Sequence, residues 1–264
     1  MADYAAIAKL FEDRVDGVEY YETRATLKLK NELFFTVENE TRQLLFLVGV
    51  PGCGKSVFLS HLPSIFGEGY RIIKYDTPFF DPVDFIRSLI QKSGHEVAEY
   101  SLEEMIHQAV QIYKDSDTIV AIDEAQLLSK EMIELIRILS DSKAFWFLLA
   151  MHKHESKKIL SEPQFSSRPH RVLTMDTMEF DETSEYISKE LLKAGAFVFE
   201  KEFSKGLSKE IYKISKGNFR DTKKILNRMF LMMDYAIKTH HKKYQKPSRC
   251  LVTMAAIDGG LLDI

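Results

Sequence analysis

The stretch Gly49-Val50-Pro51-Gly52-Cys53-Gly54-Lys55-Ser56 constrains this chain more than any other. It satisfies G-x-x-x-x-G-K-[ST], a pattern whose glycines let the backbone wrap around phosphate oxygens with its N–H groups turned inward. The pattern carries that meaning only between a strand and a helix. Both neighbours fit. Leu44-Leu45-Phe46-Leu47-Val48 is an unbroken apolar run, as of a buried strand, and Val57-Phe58-Leu59-Ser60-His61-Leu62 has the spacing of an amphipathic helix. The helix N-terminus adds a dipole favourable to an anion. Lys55 offers a positive charge to the β- and γ-phosphates, and Ser56 a hydroxyl to Mg²⁺. The expected nucleotide contacts are therefore Gly49, Val50, Pro51, Gly52, Cys53, Gly54, Lys55, Ser56 and Val57, with ATP and Mg²⁺ as the expected ligands.

A second motif turns this loop from a binding element into a hydrolytic one. Thr118-Ile119-Val120-Ala121-Ile122 is β-branched and apolar, as expected of a central parallel strand, and runs directly into Asp123-Glu124, 67 residues after Ser56. Asp123 at the strand end can hold Mg²⁺ beside Ser56. Glu124 can orient the attacking water and take its proton. Adjacent carboxylates at the carboxyl edge of a parallel sheet lie where ligands bind in such folds. A pair of acids that merely caps the next helix is the bland alternative, and the spacing from the loop counts against it.

Three further positions are candidates for sensing or neutralising phosphate charge. His152 follows the apolar run Phe145–Ala150, a strand expected between the two motif strands, and so falls near the γ-phosphate. Arg168, in Ser166-Ser167-Arg168-Pro169-His170-Arg171, is the favoured catalytic arginine acting on a neighbouring subunit, with Arg171 as its rival. Arg220, in Gly217-Asn218-Phe219-Arg220, opens a long helix, where the macrodipole slightly disfavours a cation. A nucleotide contact would explain it there.

Along the chain, helices are expected at Tyr4–Arg14 and Glu22–Glu38, then strands and helices alternate to about Met175. Strands are expected at Gln43–Val48, Tyr70–Tyr75, Thr118–Ile122, Phe145–Ala150 and Arg171–Met175. Helices are expected at Lys55–Ile65, from Asp81 to about Lys92, at Ser101–Tyr113 behind a Ser101/Glu104 capping box, and at Ser129–Leu139. From Asp181 only helical patterns follow: Glu182–Ala194, Glu200–Ser215, Phe219–Thr239 and Thr253–Leu261. The loop between them, His240–Arg249, is expected to be exposed. The reading is an α/β parallel sheet with helices on both faces, residues 1–178 including the N-terminal helices, followed by an all-helical lid, residues 179–264.

Charge is uneven. Residues 201–249 hold 14 Lys/Arg against 4 Asp/Glu within a chain of net charge −3. A basic C-terminal third on an acidic body points to an anionic partner, DNA among them, or simply to a lysine-rich solvated surface. Two cysteines give no disulfide framework, and Cys53 at a helix N-terminus could be a thiol of lowered pKa or merely a small residue that fits the loop. No run reaches the length of a membrane span, and the N-terminus carries no secretory signature, so a cytoplasmic location is expected.

The GVPGCGKS loop, the IVAIDEAQLL strand and the FRDTKKILNR helix after Lys-Gly-Asn resemble an AAA+ ATPase. Asp-Glu-Ala-Gln, together with Glu182-Thr183-Ser184-Glu185-Tyr186-Ile187 and the later Leu191-Leu192-Lys193-Ala194-Gly195-Ala196, is similar to the general secretion pathway protein A family and related transposition helper ATPases. The resemblance runs from Tyr20 to Leu262. It implies a P-loop NTPase three-layer sandwich with a five-stranded parallel sheet in order 5-1-4-3-2, a helical lid, and ATP hydrolysis between subunits of an ATP-dependent homo-oligomer. Lys55 and Ser56 match Walker A, Asp123 and Glu124 match Walker B, and Arg220 matches the sensor 2 arginine. After strand 4 the family often has Gly-Gln-Pro where this chain has Met151-His152-Lys153. The function implied first is a motor or switch for an envelope machine (type II secretion, type IV pilus or DNA uptake), recruited to the inner membrane face by a protein partner. The second is an ATP-dependent DNA-binding helper in transposition or replication.

Overall fold

The computed structural model describes residues 3–14, 20–97, 101–161, 169–193, 195–196, 203 and 205–263. The chain forms two compact units, Thr26–Asp176 and Met1–Ala25 with Thr177–Ile264.

The first unit is built on five strands, β1 (Leu44–Gly49), β2 (Arg71–Tyr75), β3 (Thr118–Ile122), β4 (Trp146–His152) and β5 (His170–Met175). Every pairing is parallel and the order is β2-β3-β4-β1-β5, the expected 5-1-4-3-2 read from the other edge. β1 and β3 are buried along their whole length, which is why their sequences show no polar alternation. β5 is an edge strand with three exposed residues. One face of the sheet, with Phe46, Val120, Phe147 and Leu149, packs on Phe85, Leu89, Met132 and Ile136 of two helices, α5 (Pro82–Lys92) and α7 (Lys130–Asp141), among others.

Local rules fix several helix starts in this unit. Asp81 accepts hydrogen bonds from the Val83 and Asp84 N–H groups at 2.8 and 3.0 Å and starts α5. α6 (Leu102–Tyr113) opens on the expected capping box between Ser101 and Glu104. The helix expected over Lys55–Ile65 is instead two short ones, α3 (Lys55–Ser60) and α4 (Leu62–Phe66). Pro63 explains the break, since it has no N–H and is tolerated only in a first turn. α2 (Arg24–Asn39) precedes β1, and α8 (Lys153–Leu160), which the sequence reading does not contain, follows β4 at once.

The second unit is all helical. Its described helices are α1 (Tyr4–Leu10), α9 (Phe180–Lys193), α10 (Lys205–Ser215), α11 (Phe219–Lys238) and α12 (Arg249–Asp258). The N-terminal segment was expected with the α/β body, yet its contacts lie here. The Phe11 and Phe230 rings stack at 6.0 Å, Asn227 Nδ2 donates to Ala8 O at 2.8 Å, and Tyr4 Oη donates to Gln245 O at 2.9 Å. Short apolar helices carry no address in their periodicity, so α1 looks alike whichever core it serves. The last contact also anchors the 240–249 segment, expected as an exposed loop, which holds a short 3-10 turn at Lys242–Tyr244. α12 starts at Arg249, four residues before the expected Thr253, because the Ser248 hydroxyl accepts the Leu251 N–H at 3.3 Å. No helix among the described residues is long and apolar enough to cross a membrane.

Gly217 is the most closely approached of the described glycines in this unit. Its φ is +73°, and an added Cβ would lie 1.9 Å from the Met178 carbonyl oxygen. Met178 N–H donates back to Gly217 O at 3.0 Å, and Thr177 Oγ1 donates to Lys216 O at 2.9 Å. Only glycine meets both demands. Gly217→Ala should therefore lose about 2 kcal/mol or more of stability in urea denaturation followed by far-ultraviolet circular dichroism. An unchanged midpoint would show that the 177–178 and 216–217 segments are not held together in solution.

Candidate nucleotide-binding site

The site is assembled at the carboxyl ends of β1, β3 and β4. β1 ends in Gly49, and the chain turns through residues 50–54 into α3. Gly52 and Gly54 have φ of 78° and 106°, conformations closed to ordinary side chains. Gly49 is demanded by space instead, since a Cβ there would meet Cys53 Sγ at 2.6 Å and Met175 O at 2.8 Å. Lys55, 6 % exposed, folds back so that its Nζ donates to Gly49 O at 3.0 Å and Val50 O at 3.2 Å. The ammonium is thereby fixed on the loop, with Ser56 next to it in the first turn of α3.

Cys53 is fully buried beneath the loop. Burial pushes its thiol above the usual value, against the opposing pull of Lys55. Burial and this upward shift favour the second reading, in which Cys53 is a small residue that fits the loop, packed against Gly49.

Asp123 and Glu124 follow β3. Asp123 is 4 % exposed; its N–H donates to Tyr75 O at 2.9 Å and its Oδ1 accepts the Glu124 N–H at 2.9 Å. Among the described residues it makes no ion pair. A carboxylate this buried calls for a compensating charge, and a divalent cation with oxygen ligands is the chemistry that Asp123 and Ser56 suit. Glu124 stands in the left-handed region, φ 50°, where a non-glycine residue is uncommon and costs of order 1 kcal/mol. That turn bends the chain into a short 3-10 segment, Ala125–Leu127.

His152, the last residue of β4, lies opposite Gly49 in the sheet register. Its Nε2 is 3.5 Å from Glu124 Oε2. So the structure brings together Gly49, Lys55, Asp123, Glu124 and His152. It also brings in Gln126, which sequence reading treated only as part of the Asp-Glu-Ala-Gln pattern. Gln126 Nε2 donates to Glu124 Oε2, and Gln126 Oε1 accepts the His152 N–H at 3.4 Å. The sequence signal was the glutamine two places after Glu124. What it could not show was the left-handed turn that folds Gln126 back.

Arginines behave differently. Arg168 lies outside the described residues. Arg171 sits near the amino end of β5, opposite Leu45, whereas Met175 of the same strand lies opposite Gly49. Four residues of strand separate it from the site's edge by roughly 13 Å. It pairs there with Glu40, whose carboxyl it holds below the usual value, and so does not reach the phosphate loop of its own chain. Arg220 belongs to the helical unit, where its Nε bonds to Asp13 Oδ2 at 2.7 Å.

Residues 38–160 match a family described as AAA domain. No curated protein matches the chain. Among solved structures, Cdc6p from Pyrobaculum aerophilum aligns with a TM-score of 0.63 at 14% identity, covering 88% of this chain and 66% of that one. Drosophila ORC bound to DNA gives 0.64 at 12%, covering 96% and 65%. The Thermotoga maritima RuvB Holliday junction branch migration motor gives 0.58 at 19%, covering 90% and 71%. The chain thus spans just under two thirds of the first two. The fold is that of a P-loop AAA+ domain with a C-terminal helical domain.

The buried loop cysteine gives a direct check. At pH 7.5 a thiol reagent should modify exposed Cys250 markedly faster than Cys53, because Cys53 is buried beyond its reach and its thiol is held above the usual pKa. In denaturant the two should react alike. Equal rates in the native chain would contradict the loop packing.

Proposed function

We propose that the chain binds Mg-ATP on the 49–57 loop and hydrolyses it, using the nucleotide as a timer or fuel for an assembly of several copies. The observation that carries this is the convergence of the Lys55 loop and the Asp123-Glu124 pair on one sheet edge, with Glu124 held within reach of the strand end beside the loop. Lys55 and the loop N–H groups bind the phosphates. Mg²⁺, when bound through Ser56 and Asp123, supplies charge neutralisation on the β- and γ-phosphate oxygens. Glu124 orients a water whose oxygen forms the new bond to the γ-phosphorus while the bond to the β–γ bridging oxygen breaks. The water's proton passes to Glu124, and the products are ADP and phosphate. Arg168 remains the proposed arginine acting from a neighbouring copy. Arg220 is the proposed nucleotide sensor of the helical unit, a role in which it would exchange Asp13 for phosphate.

Of the roles such an ATPase could serve, an action on DNA is favoured. Its supports are the basic charge of residues 201–249 and the likeness to ORC bound to DNA and to a Holliday junction branch migration motor. A second reading, a switch for an envelope machine recruited by a protein partner, is supported by the Asp-Glu-Ala-Gln and Tyr186-Ile187 sequence features.

Lys55→Ala should abolish ATP turnover, and unchanged turnover would remove the loop from the mechanism. Glu124→Gln should keep ATP binding within about twofold while hydrolysis falls roughly 10²–10⁴-fold, the span of a lost general base. DNA binding with ATP present should weaken steeply as salt rises, reporting the phosphates neutralised. No binding at low salt would leave the envelope reading in its place.

A further inference from the structure

Glu124 does not stand alone in this site. One carboxylate oxygen, Oε2, takes both of its described side-chain contacts, the Gln126 amide and the His152 ring at 3.5 Å. The amide of Gln126 is the joint. Its nitrogen donates to Glu124, and its oxygen accepts the backbone N–H of His152 at 3.4 Å. One planar group therefore ties the end of β3 to the end of β4. His152 in turn lies opposite Gly49, the first residue of the loop.

The turn is shaped to make this possible. Glu124 in the left-handed region starts the 3-10 segment, closed by Leu127 N–H on Glu124 O at 2.9 Å and Leu128 N–H on Ala125 O at 3.3 Å. Ala125 is buried, which seats the turn on the sheet core. Gln126 is thus held at its backbone, and its side chain has a donor and an acceptor to place. Both are satisfied by groups of the site.

We propose that Gln126 is a positioning residue for hydrolysis, fixing Glu124 through its Oε2 against the end of β4. This rests on Glu124 being the general base. A carboxylate with one oxygen so fixed presents the other to water in a set direction, and orientation of this kind affects the reaction rate without affecting ATP binding. Aspartate or asparagine at this position would be a methylene too short to span both partners. Glutamate would keep the acceptor for His152 N–H but place a like charge on Glu124.

The test uses the full chain, ATP and Mg²⁺. Gln126→Met, close in shape but lacking both hydrogen-bonding groups, should lower kcat about tenfold, a part of what a general base contributes, with KM and ATP affinity within twofold. Gln126→Glu should lose at least as much. Unchanged kcat in Gln126→Met would overturn the proposal, and so would a matched loss of ATP affinity or thermal midpoint, which would mark a merely structural residue. Glu124→Gln, run alongside, separates two failures. If it still hydrolyses, the base itself is misassigned. If it is inactive while Gln126→Met is normal, only the positioning role fails.

Discussion

The register that sets Gly49 of β1 opposite His152 of β4 is the constraint on which the candidate site depends. Because β1 lies between β4 and β5, and β3 lies beyond β4, that alignment decides which strand ends share an edge. The loop after β1 and the acids after β3 are not neighbours in the sheet. β4 stands between them, and its last residue meets both. Full burial of β1 and β3 on both faces resists slippage, since moving either by one residue would exchange every side chain between two closely packed faces of different shape.

Much of the first unit was legible because its physics is local. Continuous apolar runs mark strands buried on both faces, Asp81 and Ser101 announce helix starts, and the glycine spacing of the loop states its own backbone needs. What was missed depended on distant contacts or on unusual backbone. α8 escaped because it begins with no break after β4 and carries Lys153, His154 and Lys157 rather than a clear apolar stripe. α1 was placed with the wrong core because Ile7, Ala8 and Phe11 declare burial but not a partner. Gln126 was overlooked because only a left-handed Glu124 returns its side chain to the site, and no residue type there signals such a φ.

The same distinction explains the arginines. Strand register assigns Arg171 to the amino end of β5, where it pairs with Glu40. Sequence gives proximity along the chain, whereas parallel strands separate residues a few positions apart onto opposite ends of a sheet. A charge near a motif is therefore weak grounds for a role in it, and a charge at the carboxyl end of a strand is stronger.

Electrostatics completes the argument. Lys55 and Asp123 are both almost wholly buried, and among the described residues neither forms an ion pair. Each is satisfied in part by backbone, Lys55 by two carbonyls and Asp123 by one N–H. Removing opposite charges from water without pairing them is unfavourable, and a sheet tuned only for stability would carry apolar residues at both places. On the proposed function a ligand bearing both signs would resolve the two positions together, its anionic phosphates meeting Lys55 and the loop and its cation meeting Asp123 and Ser56. On that reading the cost of the two unpaired charges is offset on binding, and occupancy of this edge would be coupled to the stability of the unit that carries it.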